Sequence, residues 1–428
     1  MPSATFRALR HRNFQLFFGG QLVSLVGTWM QNVAQSWLIY RLTHAPLLLG
    51  LVGFAGQAPI FLLATVGGAV ADRRARRGVL VATQTASMVL AFALAALTLL
   101  GVVRPWHVFV LAAALGTVNA FDIPTRQAFV VEMVGKEDLG NAIALNSSIF
   151  NGARVVGPAV AGLLVAVVGE GWCFFGNAVS FIAVIASLLA MSVPERVLPP
   201  PPENPLAHAA EGIRYVARTP EARAIMLLLG MVALSGIPYV VLMPIFAAEV
   251  LHGGPKALGT LMGATGGGAL VGALLLAARS GVHGMERLVH MSATVFGMAL
   301  VFFAASRTMW LSVALLVPAG AGLIVQNATS NTLIQEMVPD ELRGRVMAVY
   351  AMVFMGMAPL GALLAGAFAQ RVGAPWTVAG GGLLCTAAAQ VFAISEYGTP
   401  CIRSRSSPSD RTAARRRAPP SSAGPAPS

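Results

Sequence analysis

Arg154 is the only charged residue between positions 140 and 168. If that run is a helix starting beside Asp138, Arg154 lies about 24 Å along it, at ~1.5 Å per residue. In hydrocarbon a guanidinium at that depth costs at least ~2.5–3.5 kcal/mol, so it should face the protein interior and find a partner. Ser147, Asn151, Arg154 and Pro158 share one helix face. The run holds no acid to neutralise the arginine, so the partner is expected from elsewhere, with Asp122 at the end of the preceding run as a candidate. Two kinds of chemistry suit such a group: binding of a substrate anion or coupling of charge movement, and service as a structural hydrogen-bond hub.

A second polar set lies in the first apolar run. Gln21, Thr28, Asn32 and Gln35 are spaced 7, 4 and 3 apart, which puts them on one narrow helical face. Amides are costly against lipid, so this face should meet protein or a water-filled path. It either lines a substrate path or bonds neighbouring helices. Covalent chemistry is not expected, because no Ser/His/acid or metal-ligand cluster stands out. Cys173, Cys385 and Cys401 are isolated thiols without metal spacing. No metal, cofactor or nucleotide site is expected: the glycine spacings Gly263/Gly267 and Gly268/Gly272 lack the Lys and Ser/Thr of a phosphate loop and read as helix packing.

The elements that must position these residues follow from composition. With 56% hydrophobic and 11% charged residues in 428, the chain has too few polar side chains to cover a water-facing surface, so it is read as an integral membrane protein. Apolar runs fall at about 14–40, 46–70, 79–102, 106–127, 140–168 and 172–192, and again at about 224–248, 257–278, 286–305, 309–331, 344–370 and 373–395. A basic arm (1–13) precedes them. A proline-rich, charged linker (193–223), with an amphipathic patch at 207–217, separates two six-helix halves (14–192 and 224–395). A Ser/Pro/Ala/Arg tail (396–428) follows and reads as disordered. Placing both termini inside gives that side 23 of the 29 basic residues, against five outside and Arg154 within a helix. The excess of basic residues is therefore a topology signal rather than a nucleic-acid surface.

Between the second and third runs sits a dense charge knot, Gly68–Gly78, containing Gly68, Asp72, Arg73, Arg76 and Arg77. That pattern resembles the loop between the second and third helices of major facilitator superfamily transporters, with Ala75 where the family prefers Gly. Glu132-Met133-Val134 recurs as Glu336-Met337-Val338, each followed by acids and a long run containing a small-residue–Pro pair, Gly157-Pro158 and Ala358-Pro359. The recurrence points to a parallel repeat. Gly157, Pro158 and Gly162 resemble the core of the fifth-helix motif of superfamily exporters, with Ala144 and Ala153 in place of its upstream glycines. Arg10–Phe14 with Leu16–Gln21, Asp122–Arg126 and Asn146–Gly162 narrow the resemblance to the branch that includes the enterobactin exporter.

The resemblance implies an all-α fold of twelve transmembrane helices in two halves, with a substrate path between them lined by Gln21, Thr28, Asn32, Gln35, Ser147, Asn151 and Arg154. It implies a gating cluster of Gly68, Asp72, Arg73, Arg76, Arg77, Asp122, Arg126 and Glu132, in which ion pairs between helix ends favour one access state. Asp122 is the acid candidate for proton coupling. The expected activity is secondary active export of a small organic molecule, drug-like or siderophore-like, in exchange for protons, by a monomer in the bacterial cytoplasmic membrane. An importer or facilitator of the same fold, or a non-transporting sensor or assembly protein, remains open at this point. An enzyme or a nucleic-acid partner is not expected.

Overall fold

A computed structural model describes residues 4–192, 205–279, 281 and 284–397. The expected linker residues 193–204 and tail residues 398–428 lie outside them. A short 3₁₀ arm, Ala4–Arg10, leads into thirteen α-helices: α1 Arg12–Thr43, α2 Pro46–Arg73, α3 Arg76–Leu99, α4 Pro105–Val134, α5 Leu139–Val168, α6 Glu170–Ala190, α7 Pro205–Arg218, α8 Pro220–Val250, α9 Gly254–Ala277, α10 Met285–Ala305, α11 Met309–Met337, α12 Asp340–Val372 and α13 Ala374–Tyr397. There is no strand among the described residues. Eleven of the helices are long and apolar enough to cross a bilayer. The twelfth span is α1, whose 32 residues suffice in length while its amides dilute its hydropathy. The amphipathic patch of the linker forms α7, which packs on α12 and does not span.

The spans alternate in direction, so one face gathers the arm and the α2–α3, α4–α5, α9–α10 and α11–α12 turns. We refer to this as the basic face and to the opposite one as the far face. Helices α1–α6 pack together as one half, through α1–α5, α1–α6, α2–α4 and α3–α6. Equivalent pairings (α8–α12, α8–α13, α9–α11 and α10–α13) build the second half. The parallel repeat is therefore visible in the packing as well as in the sequence.

Helices in lipid gain little from hiding apolar surface against one another, so close backbone contact carries the packing. In the first half a Cβ on Gly67 would lie 1.9 Å from the Ala120 carbonyl oxygen of α4; in the second, one on Gly268 would lie 2.0 Å from that of Val317 in α11. Gly68 has open space where its Cβ would stand. Of the spaced glycines in α9, Gly268 and Gly272 pack against α11, whereas Gly267 meets nothing. Prolines shape the spans. In α8, π-helical stretches at Val232–Gly236 and Phe246–Val250 flank Pro238 and Pro244, where missing N–H donors break the ordinary backbone ladder.

The two halves meet along α5–α9 and α2–α12. Close approaches line both seams: a Cβ on Gly162 would stand 2.9 Å from the Cα of Gly259 and one on Gly50 would stand 3.0 Å from the Cα of Gly366, toward the far face, and one on Gly266 would stand 2.6 Å from the Arg154 carbonyl oxygen near mid-depth. Among the described residues two hydrogen bonds bridge the halves, both toward the far face. The Tyr40 hydroxyl donates to Glu249 (3.0 Å), and the Leu47 N–H donates to Gln370 Oε1 (3.5 Å).

Candidate functional site

Arg154 lies midway along α5, at the depth that helix rise predicts. Its partner is a ring rather than an acid: the guanidinium carbon sits 5.8 Å from the centroid of Trp29 on α1, within the range of a cation–π contact. Among the described residues no carboxylate pairs with Arg154, and it makes no hydrogen bond through its side chain. Trp29 meets Phe150 edge-on at 5.7 Å. Next to this group stands α9, where a Cβ on Gly266 would lie 2.6 Å from the Arg154 carbonyl oxygen. The residues around Arg154 therefore come from both halves.

The amide stripe of α1 divides in two. Gln21 is buried and accepts a hydrogen bond from Arg126 (3.2 Å), so it joins helices. Thr28 and Gln35 are half-buried, Asn32 is exposed, and their side chains make no hydrogen bond within the described residues. Ser147 is exposed one turn below Asn151, whose amide donates to the Ser147 carbonyl (2.8 Å). Gln31, which the stripe did not include, is buried and accepts from Asn177 of α6 (2.7 Å). Only the neighbouring helix distinguishes Gln31 from Asn32.

Asp122 is not at a helix end. Helix α4 continues through Pro124 to Val134, so Asp122 lies more than three turns in and is 1% exposed. The drop in hydropathy after residue 127 marks where α4 leaves its apolar surroundings, not where it stops. Asp122 forms an ion pair with Arg126 and accepts from Thr83 (2.9 Å) and Gln84 (2.7 Å) of α3. It is therefore unavailable to Arg154.

The expected gating cluster separates into two networks. One is the Gln21–Arg126–Asp122–Thr83/Gln84 set inside the first half. The other centres on Arg76, 8% exposed, which reaches Glu132 (2.9 Å), Asp72 (3.5 Å) and the carbonyls of Ala128 (2.7 Å) and Ala71 (3.2 Å). The turn carrying it is only Arg74–Ala75 long. Arg77 donates to the Leu189 carbonyl of α6 (2.7 Å), and Arg73 is exposed. In the second copy Glu336 is exposed and has no ion-pair partner among the described residues, so the repeat keeps its arginine clamp on one side only. A third network joins the arm to α5. Arg7 and His11 both contact Asp138 at 2.9 Å, and the Ala8 N–H donates to Asn141 (2.9 Å). The His11 hydrogen bond holds the Asp138 carboxyl below its usual 3.8 against the opposing effect of burial, and Arg7 adds to the lowering.

Two six-helix halves with the same internal packing and an arginine-clamped loop between the second and third spans are those of a transporter of the major facilitator superfamily. The transmembrane secretion effector family matches residues 3–415, and the chain belongs to it. It is 28% identical over 354 residues to the staphyloferrin A transporter of Staphylococcus aureus, covering 81% of this chain and 87% of that protein. It is 28% identical to the multidrug efflux pump Tap of Mycolicibacterium fortuitum (82% and 88% covered) and 26% identical to the enterobactin exporter of Shigella boydii (83% and 85%). In fold it resembles the inward-facing, occupied structure of a bacterial homologue of the human lysosomal transporter Spinster. The TM-score is 0.72 at 13% identity, over 93% of this chain and 97% of that one.

Proposed function

We propose that this protein is a secondary exporter of a small organic molecule, working by alternating access in exchange for protons. The observation that carries the reading is the uneven contact between halves. Among the described residues both hydrogen bonds that bridge the halves lie toward the far face, as do the glycine contacts Gly162–Gly259 and Gly50–Gly366, while Asn32 and Ser147 stand exposed on α1 and α5. Such an arrangement suits a path open toward the basic face. The excess of basic residues on that face supports a cytoplasmic position for it and for both termini. A cytoplasmic opening is the state that loads an export substrate. Relatives described as an exporter and an efflux pump support the direction.

The reading draws energy from an ion gradient, with Asp122 as the titratable group buried within the first half. The protein acts as a monomer in this reading, since the path lies within one chain. The test is transport in proteoliposomes holding a panel of drugs and siderophores. Substrate movement against its own gradient, driven by an imposed pH gradient and abolished by a protonophore, is expected. Movement indifferent to the pH gradient would remove proton coupling. Movement only with the opposite vector would make the protein an importer.

A further inference from the structure

The surroundings of Arg154 suggest what kind of molecule the path takes. Here the inference rests on the transport reading and narrows its substrate. A guanidinium carries five N–H donors in a planar fork. Within the described residues the side chain of Arg154 meets one ring face, Trp29, and no acceptor. Protein interiors leave few polar groups without partners, and arginine in a membrane almost always has one. Asp122, the buried acid of the neighbouring network, is committed to Arg126, Thr83 and Gln84.

The backbone of Arg154 packs against α9, where a Cβ on Gly266 would lie 2.6 Å from the Arg154 carbonyl oxygen, so the arginine stands at the seam between the halves with its N–H groups unspent among the described residues. Arg154 and Trp29 are half-buried, and Thr28 and Asn32 stand beside Trp29 on α1, so the group adjoins the polar path.

We infer that Arg154, with Trp29 as a wall, forms an anion-recognition site for the carboxylate of an organic substrate. A carboxylate offers two oxygens in the geometry of the guanidinium fork, and such charge-assisted pairs are stronger than neutral ones. The Trp29 ring, 5.8 Å from the guanidinium carbon, supplies no hydrogen-bond acceptor to it and so leaves the N–H groups for the ligand. A carboxylate here lies beside the α5–α9 seam, so its arrival and departure bear on the contact between the halves.

The experiment is binding to the full chain in nanodiscs, which needs no transport and so fails independently of the exporter reading. The probes are benzoate and its uncharged counterpart benzamide, followed by tryptophan fluorescence, with Trp29→Phe identifying the signal of Trp29 among six tryptophans. Wild type should give a saturable response to benzoate and bind benzamide at least about tenfold more weakly, the scale of one charge-assisted contact. Arg154→Gln should weaken benzoate about tenfold or more and Arg154→Lys less, with benzamide unaffected by both. Arg154→Lys keeps the assay informative if Arg154→Gln fails to fold. Equal binding of the two probes, no benzoate response in wild type, or benzoate binding indifferent to the substitutions would each overturn the inference.

Discussion

At the scale of single residues, the charged side chains that matter are those whose surroundings leave them few choices. Asp138 is held by His11 and Arg7, and its carboxyl titrates below the usual aspartate value. A group whose folded pKa is depressed contributes above its unfolded pKa and loses that contribution as pH falls through the folded value. The arm Ala4–Arg10 should thus stay docked on α5 at neutral pH and through the ordinary carboxylate range, and be released below it. Asp138→Asn should release it at every pH. A spin label on the arm, read for mobility in nanodiscs, checks this; an arm equally immobile in Asp138→Asn would count against it. The depth of Arg154 was legible in the sequence because helix rise needs only a count of residues. Its partner was not, because Trp29 lies 125 positions away and a ring does not look like a counterion. Asp122 was misplaced for a related reason: the hydropathy pattern ends where the apolar environment ends, while backbone hydrogen bonds carry α4 on to Val134.

At the scale of elements, two adjacent glycines separate what pattern reading reveals from what it misses. Gly68 belongs to the recognisable loop pattern and has open space around it. Gly67 does not, yet it lets α2 touch α4 at the Ala120 carbonyl. Nothing in a Gly-Gly pair says which member faces the neighbour; the crossing of α2 and α4 decides it. Gly67→Ala should therefore force the two helices apart and cost about 1–3 kcal/mol, as overpacking does. Gly68→Ala should stay within about 0.5 kcal/mol. Thermal unfolding of the purified protein in detergent compares them, and equal losses would contradict the packing described. The twelve spans themselves were readable because each is a long apolar run, and the α7 helix showed itself only as an amphipathic patch.

At the scale of the whole molecule, the halves are joined where α5 meets α9 and α2 meets α12. Because Gly162 faces Gly259 with no room for a methyl group, Gly162→Ala should wedge the far face and shift the resting population toward the state open there. Labels on the α1–α2 and α8–α9 turns, with distances measured by pulsed electron resonance, should show a longer component in the variant. A distribution identical to wild type would argue that the seam does not set the resting state.

That seam has one more consequence. Glycine on glycine presents no functional group to a passing molecule, so the closure mechanism is blind to what is being carried. In the reading proposed above, the side chains that meet cargo, on α1 and α5, can change one at a time without altering the glycines of the seam. The protein thus keeps its vocabulary for ligands separate from its grammar of motion.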